Sequence, residues 1–395
     1  MTVISETPRE RSAQTARVAR LRRRLLAWWD AGHRDLPWRF PQRGADPYRV
    51  WLAEVMAQQT RLETVVPYYL RFLERWPTLE SLAVAGEDEV LASWAGLGYY
   101  ARARNLVAAA RQALELHGGL PASIQALRAL PGFGPYTAGA VASIAFAIPA
   151  PAVDGNATRV LARWAGAAGD PRAVRGRVAA LAAALAAGAR PGDVNQAIME
   201  LGATVCTPRA PRCAACPVGQ GCEARRHGLT GSIPRARRRG PRRLLRLALA
   251  RVVRGGRLLL VRAPAGGLFA GMWGLPAVEL APGADARRAL AAALRERLGV
   301  PAEVGPALAV VERDLTHRTL VLHVHGARIP GPVPLRVRGG ERPALRWATP
   351  RDMEGLAVPT AVRKAIEAAG GGRRMPAEGA PGADGPGGAY PTERS

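Results

Sequence analysis

The spacing of apolar residues changes character along the chain, helical in the first part and strand-like in the second. Leu21, Leu25, Leu26 and Trp29 share one face of a basic helix expected over residues 18–29. Asp46 and Pro47 mark a second helix start, since aspartate caps and proline suits the first turn. Its buried stripe is Trp51, Leu52, Val55 and Met56; Glu54, Gln58 and Arg61 fall at i, i+4 and i+7 as a polar stripe beside it. Residues 123–129 predict a short helix, Gly132 and Gly134 a tight hairpin built on positive φ, and Pro135 the start of another helix. Asp154 to Asn156 lead into a helix over 157–164. Later, residues 247–253, 258–261, 308–311, 319–324 and 345–348 read as strands, and 286–298 as a helix capped by Asp285. The pattern predicts an all-α domain over 16–225 and an α+β domain over 244–369. A basic Arg/Gly/Pro-rich linker over 226–243, laid along DNA, joins them, between disordered tails at 1–15 and 370–395.

Charge narrows the partners. A net charge of +25 and a pI near 11.5 draw the chain to polyanions, nucleic acid first and a membrane surface second. No apolar run reaches the roughly 18 residues of a membrane span. No secretory signal stands at the N-terminus, so a cytoplasmic, nucleoid-associated protein is expected. The basic residues are arginines except for one lysine, Lys364.

Several stretches carry candidate chemistry. The backbone N–H groups of Leu130–Gly134, with the helix start at Pro135, can hold a phosphate without reading sequence; an ordinary helical hairpin is the bland alternative. Glu54 is either a solvated charge or a semi-buried acid with a raised pKa, its apolar neighbours favouring the second. Asp154 is either a helix cap or a carboxylate presented to a cleft shared with Glu54. Two carboxylates facing a glycosidic bond suit cleavage through an oxocarbenium-like state. Gly96-Leu97-Gly98-Tyr99-Tyr100, followed by Arg102 and Arg104, is either an aromatic wedge for a base stack or a packed turn. Cys206, Cys213, Cys216 and Cys222, spaced C-x6-C-x2-C-x5-C, read as a metal site, zinc or iron–sulfur. Only Cys213 and Cys216 form the short knuckle that zinc sites usually pair, which favours [4Fe–4S]. Arg209, Arg212, Arg225 and Arg226 nearby would let this loop hold a DNA backbone.

In this order the pieces resemble the helix-hairpin-helix DNA glycosylases with an iron–sulfur cluster, and more closely the adenine DNA glycosylase (MutY) family, over roughly residues 20 to 365. The residues that carry it are Leu36-Pro37-Trp38-Arg39, Trp51 to Thr60, the hairpin, Val153-Asp154-Gly155-Asn156, Asn195-Gln196-Ala197 and the cysteines. The resemblance implies two α-helical subdomains with the active site between them, and a [4Fe–4S] cluster on the four cysteines. It implies double-stranded DNA carrying adenine opposite 8-oxoguanine or guanine as the substrate of a monomeric enzyme. By the same resemblance Glu54 is the general acid and Asp154 the carboxylate that stabilises the sugar cation, with Tyr136 and Asn156 in support. Arg34, Leu36, Trp38, Arg39 and Gln196 line the adenine pocket, while Gln59, Leu97 and Tyr99 probe the duplex.

The endonuclease III type of the same fold uses a hairpin lysine where this chain has Tyr136, which implies a glycosylase that does not nick the strand. The second domain resembles the family's Nudix-like lesion-recognition domain through residues 271–276 and Trp347. Its helix lacks the glutamate cluster that holds Mg²⁺, so binding without hydrolysis is expected. The family's Phe-Ser-His lesion loop reads Leu315-Thr316-His317 here. A non-catalytic lesion-binding protein and a Nudix hydrolase with a DNA-binding appendage are the competing classes; Glu54 and Asp154 argue against the first and the missing glutamates against the second.

Overall fold

The computed structural model describes residues 8–39, 45–235, 240–264, 266–299, 301–315, 318–332 and 344–370. Thr316 and His317, the expected lesion-contacting pair, lie outside the described residues, as do 1–7 and 371–395 of the expected tails. By contacts the chain forms two units. One holds Met1–Arg243, Arg254–Leu275 and Arg338–Thr360; the other holds Leu244–Val253, Pro276–Val337 and Ala361–Ser395.

The first unit opens with α1 (Pro8–Ala31), α2 (Pro47–Ala57), α3 (Leu62–Arg75), α4 (Leu79–Ala83), α5 (Glu87–Trp94) and α6 (Ala101–His117). It continues with α7 (Ile124–Ala129), α8 (Pro135–Ala145), α9 (Gly155–Trp164), α10 (Pro171–Ala186), α11 (Pro191–Thr204) and α12 (Glu223–Arg226). Helix α1 corrects the expected tail, because residues 8–15 are helical. No glycine or proline interrupts Pro8 to Ala31. Arg17 also ties that stretch down, donating to the Gly221 carbonyl at 2.9 Å and pairing with Glu223 at 2.8 Å.

The end of α2 brings a second correction. Gln58 leaves the helix, Gln59 takes φ 57°, and Arg61 caps α3, so the expected stripe stops at Glu54. The expected linker is shortened from both sides. Arg163 Nε donates to the carbonyl of buried Ile233 at 2.8 Å, so the chain stays packed on the helices beyond residue 226, and a strand begins at Arg243.

Two apolar cores build the helical part. One gathers α2 to α8 around Trp51, Phe72, Trp94 and Leu106; the other gathers α1, α9, α10 and α11 around Leu25, Leu161 and Leu185. Glu54 comes from the first and Asp154 from the entry to the second, as two subdomains flanking a site require. The hairpin is fixed to the first core by Phe133, whose ring stacks on Trp51 at 5.2 Å between centroids. Of its two glycines only Gly132 has positive φ, 77°, and a side chain there would meet Asn105 Cβ at 2.8 Å. Gly134, at φ −77°, caps α8 with open space around it, so the expectation of positive φ fails at that position.

The joint between the cores needs close approach. A Cβ on Gly139 of α8 would stand 2.1 Å from the Pro151 carbonyl oxygen. Asn195 of α11 completes it: its Oδ1 accepts from the Ala152 N–H at 3.1 Å, and its Nδ2 donates to the Ala150 carbonyl and Ser143 Oγ, each at 2.8 Å. The segment before Asp154 is thereby held against α8 and α11.

The first unit also contains β2 (Arg257–Arg262), paired antiparallel with β3 (Trp273–Gly274) and β7 (Leu345–Ala348), and helix α14 (Pro350–Glu354). In the second unit β1 (Arg243–Arg254, of which Leu244–Val253 belong here) pairs antiparallel with β4 (Ala277–Glu279) and lies beside β6 (Arg318–Arg328). Strand β6 pairs antiparallel with β5 (Glu303–Asp314). Helix α13 (Ala286–Leu298), capped by Asp285, packs on β4 and β5 through Leu290, Leu294 and Leu298. Helix α15 (Thr360–Gly370) is the last described element, so Gly370 belongs to a helix and not to the expected tail.

The close approach at Gly139 gives a direct test. Gly139→Ala is expected to lower the unfolding free energy by about 1–3 kcal/mol, as overpacking usually does. Gly134→Ala is expected to stay within about 0.5 kcal/mol. Denaturant titration of both variants checks this, and equal losses would refute it.

Candidate active site

Glu54 sits near the end of α2 between Ala53 and Val55, and all three are buried. Its Oε2 accepts a 2.5 Å hydrogen bond from the Tyr136 hydroxyl, which also lies 3.3 Å from Met199 Sδ. Tyr136 stands in the first turn of α8, so the helix that follows the hairpin delivers it to the carboxyl. Burial pushes the Glu54 pKa up; the Tyr136 hydrogen bond opposes this, nearby Asp154 adds to it, and Arg39 opposes. The Tyr136 hydroxyl is itself pushed well above its ordinary value, first by burial and then by Glu54, so it serves as a neutral donor.

Asp154 is the helix cap that the sequence offered as one reading. As the cap of α9 its Oδ1 accepts from the Ala157 N–H at 2.6 Å, and its Oδ2 accepts from Asn156 Nδ2 at 3.0 Å. Asn156 is held in turn: its Oδ1 accepts from Arg159 at 2.8 Å. Arg159 also donates to the carbonyls of Gly202 and Cys206, both at 2.7 Å. A hydrogen-bonded path therefore runs from Asp154 to the cysteine loop.

Arg34 and Arg39 converge on a residue the sequence reading missed. Glu200 of α11, 2% exposed, accepts from Arg34 Nε at 2.7 Å and Nη2 at 2.8 Å, and from Arg39 Nη2 at 2.8 Å. Burial raises its pKa, but the two guanidiniums outweigh this and hold it at about 2. Its one signal in the sequence was a carboxylate one helical turn after Gln196, among the apolar residues in the second half of the helix. Arg39 also lies 4.8 Å over the Trp29 ring. Leu36 and Trp38 are core residues, Trp38 edge-on to Tyr69 at 5.1 Å, and Gln196 is half-buried on α11.

Among the expected DNA-probing residues, Gln59 and Tyr99 are exposed and both have positive φ, 57° and 50°. Leu97 corrects the expectation. It is 5% exposed and packed in the first core, whereas Tyr99 of the same turn is exposed. The hairpin glycines, Gly132 and Gly134, are exposed.

The four cysteines are free thiols lining one small cavity together with Arg163, Arg212 and Arg225. Burial pushes the Cys216 thiol up to about 11, so a bound cation is what would hold it as thiolate. Arg163 Nη1 donates to Cys206 Sγ at 3.4 Å. The donor set fits a thiolate-bound group: Cys206, Cys213, Cys216 and Cys222 would hold it. Two of the arginines expected to face DNA have partners within the protein. Arg212 donates to the Thr204 carbonyl at 2.6 Å, and Arg226 pairs with Glu223.

The two-core helical frame with its hairpin is that of a base-excision DNA glycosylase, as the family match shows. Residues 52–182 match the HhH-GPD superfamily of base excision DNA repair proteins, and residues 248–368 match the NUDIX domain. The chain is 38% identical to the adenine DNA glycosylase of Homo sapiens over 407 residues, 88% of this chain and 74% of that one. It is also 38% identical to the adenine DNA glycosylase of Rattus norvegicus, over 88% of this chain and 78% of that one. To that of Mycolicibacterium smegmatis it is 40% identical, over 60% of this chain and 82% of that one. The chain belongs to the adenine DNA glycosylase family. Among the described residues, no helix is long and apolar enough to cross a membrane.

The raised Glu54 pKa has a stability consequence. A carboxyl that holds its proton more tightly when folded loses stability as pH rises from the unfolded value through the folded one. Glu54→Gln keeps an acceptor for Tyr136 and removes the charge. It is expected to raise Tm at pH 8, the gain fading as pH falls toward the ordinary carboxylate range of about 4.3. Thermal melts across pH check it, and a gain that grows on acidification would contradict it.

Proposed function

We propose that the adenine this enzyme removes stands opposite 8-oxoguanine or guanine in duplex DNA. The enzyme acts as a nucleoid-associated cytoplasmic monomer and leaves the strand uncut. The observation that carries this reading is the buried Glu54 carboxyl, held by a neutral tyrosine and placed where Asp154 acts on it electrostatically.

Adenine leaves poorly as an anion, so a proton must reach its ring as the glycosidic bond breaks. The base must first leave the stack, and Tyr99 and Gln59 are placed to probe the duplex while it does. Glu54, kept protonated by burial, donates the proton. Asp154 presents its carboxylate to the cationic sugar and stabilises or traps it, Asn156 fixing its orientation. Arg34 and Arg39 spend their charge on Glu200, which shapes the pocket wall beside Gln196 and leaves Glu54 without a direct ion pair among the described residues. The hairpin position offers a phenol and no amine, and the sole lysine, Lys364, lies on α15 in the other unit. No Schiff base forms, so no lyase step follows.

The group the four cysteines would hold is a [4Fe–4S] cluster. They line one cavity, and only Cys213 and Cys216 form the short knuckle that zinc sites usually pair, which favours a cluster over zinc. When bound, the cluster supplies a rigid cross-link for the loop. The Nudix-like part binds the lesion strand, with Thr316 and His317 as the contacting pair. Helix α13 carries one acidic residue, Glu296, so it supplies no Mg²⁺ site for hydrolysis.

Single-turnover incubation with duplex holding adenine opposite 8-oxoguanine, read with and without alkali, tests this. Adenine release with breaks only after alkali is expected; breaks without alkali, or no release, would overturn it. Glu54→Gln is expected to slow release by about 10²–10⁴-fold. Tyr136→Phe removes a hydrogen bond that lowers the Glu54 pKa, so the alkaline limb of its pH–rate profile is expected to move to higher pH. A shift to lower pH would contradict the assigned acid.

A further inference from the structure

Arg102, in the first turn of α6, reaches back to the end of the helix that carries Glu54. Its Nη1 donates to the carbonyls of Val55 at 2.7 Å, Met56 at 3.0 Å and Gln58 at 2.6 Å. These are carbonyls that the helix end leaves without intrahelical donors, where a cation is favoured. Its Nη2 donates to Thr60 Oγ1 and the Leu97 carbonyl, each at 3.2 Å, and to the Gly98 carbonyl at 3.3 Å. The guanidinium carbon lies 5.4 Å from the Trp94 ring centre and 5.3 Å from that of Tyr99.

The partners of this one side chain bracket two residues in an unusual backbone state. Gln58 and Thr60 flank Gln59, at φ 57°; Gly98 precedes Tyr99, at φ 50°. Left-handed backbone is rare outside glycine and persists only where the surroundings over-determine it. Burial lowers the Arg102 pKa to about 10, and among the described residues no carboxylate pairs with it. A buried cation balanced by carbonyls, a hydroxyl and two rings, with no carboxylate, is an unfavourable arrangement to keep for packing.

We infer that Arg102 is a positioning residue for mispair recognition, locking the Gln59 loop and the Tyr99 wedge into one unit hung from the end of the Glu54 helix. The inference rests on the reading of Gln59 and Tyr99 as duplex-probing residues. Through Arg102, displacement of the wedge by a base pair is felt at α2, so engagement of the duplex and placement of the acid are coupled. Lysine cannot replace it: a single ammonium cannot span carbonyls of two loops as the guanidinium fork does.

The test uses full-length protein and a duplex with 2-aminopurine beside the target adenine, whose fluorescence reports unstacking. Arg102→Lys is expected to lose the unstacking signal and to slow excision by roughly tenfold or more, while the pH dependence of the remaining excision keeps its wild-type form. Tyr99→Ala and the double variant complete a cycle in which the double variant is expected to be no slower than Tyr99→Ala alone. Multiplying effects, or slowed excision with a normal unstacking signal, would overturn the inference. Should Arg102→Lys not fold, Thr60→Val removes one acceptor and is expected to show the same pattern at smaller size; a wild-type unstacking signal there would equally overturn it. If the wild-type protein releases no adenine, the function proposed above fails, while the fluorescence arm still reads the wedge.

Discussion

A carboxylic acid kept out of water is the constraint on which the site rests. Glu54 must be buried to hold its proton, and a buried carboxyl is stable only with a partner that does not ionise it. The neutral Tyr136 hydroxyl meets that condition. Glu200 shows the alternative within the same fold. It too is buried, but faces two guanidiniums, and it is held at about 2. Two buried glutamates of the helical part are thus driven in opposite directions by what stands opposite them.

Holding an acid in one core and a carboxylate at the edge of another demands that the two cores meet at fixed distance. Gly139 admits the Pro151 carbonyl, and Asn195 bonds backbone groups of the segment that leads to Asp154. A further tie runs through Asn156 and Arg159 to the Cys206 carbonyl, so the cysteine loop is linked to the Asp154 carboxylate by hydrogen bonds.

Elements with a local signal were legible in the sequence. Helix α13 begins and ends where its cap and period placed it, and Glu54, Tyr136 and Asp154 fall on the elements expected of them. What was missed depends on long-range partners. The early start of α1 rests on carbonyls more than a hundred residues away; Leu97 turned inward because the first core had room for it; Glu200 became important only when Arg34 and Arg39 arrived from the other end of the chain. Gln58 and Arg61 were misplaced for a local reason: a period cannot reveal that Gln59 takes a left-handed turn.

The same point changes how the charge of +25 should be read. A chain whose 56 basic residues include one lysine invites the view that its arginines all await a phosphate. Many are occupied within the fold as cross-links between backbone carbonyls. Arg111 joins Ala83 and Ala85, Arg159 joins Gly202 and Cys206, Arg163 joins Thr207, Pro208 and Ile233, and Arg102 joins α2 to the wedge turn. A planar fork with several donors satisfies carbonyls that helix ends and loops leave over, which an ammonium does less well. Net charge therefore overstates the DNA-facing charge. Phosphate contacts position a duplex without reading it, so what net charge does report is attraction and not recognition.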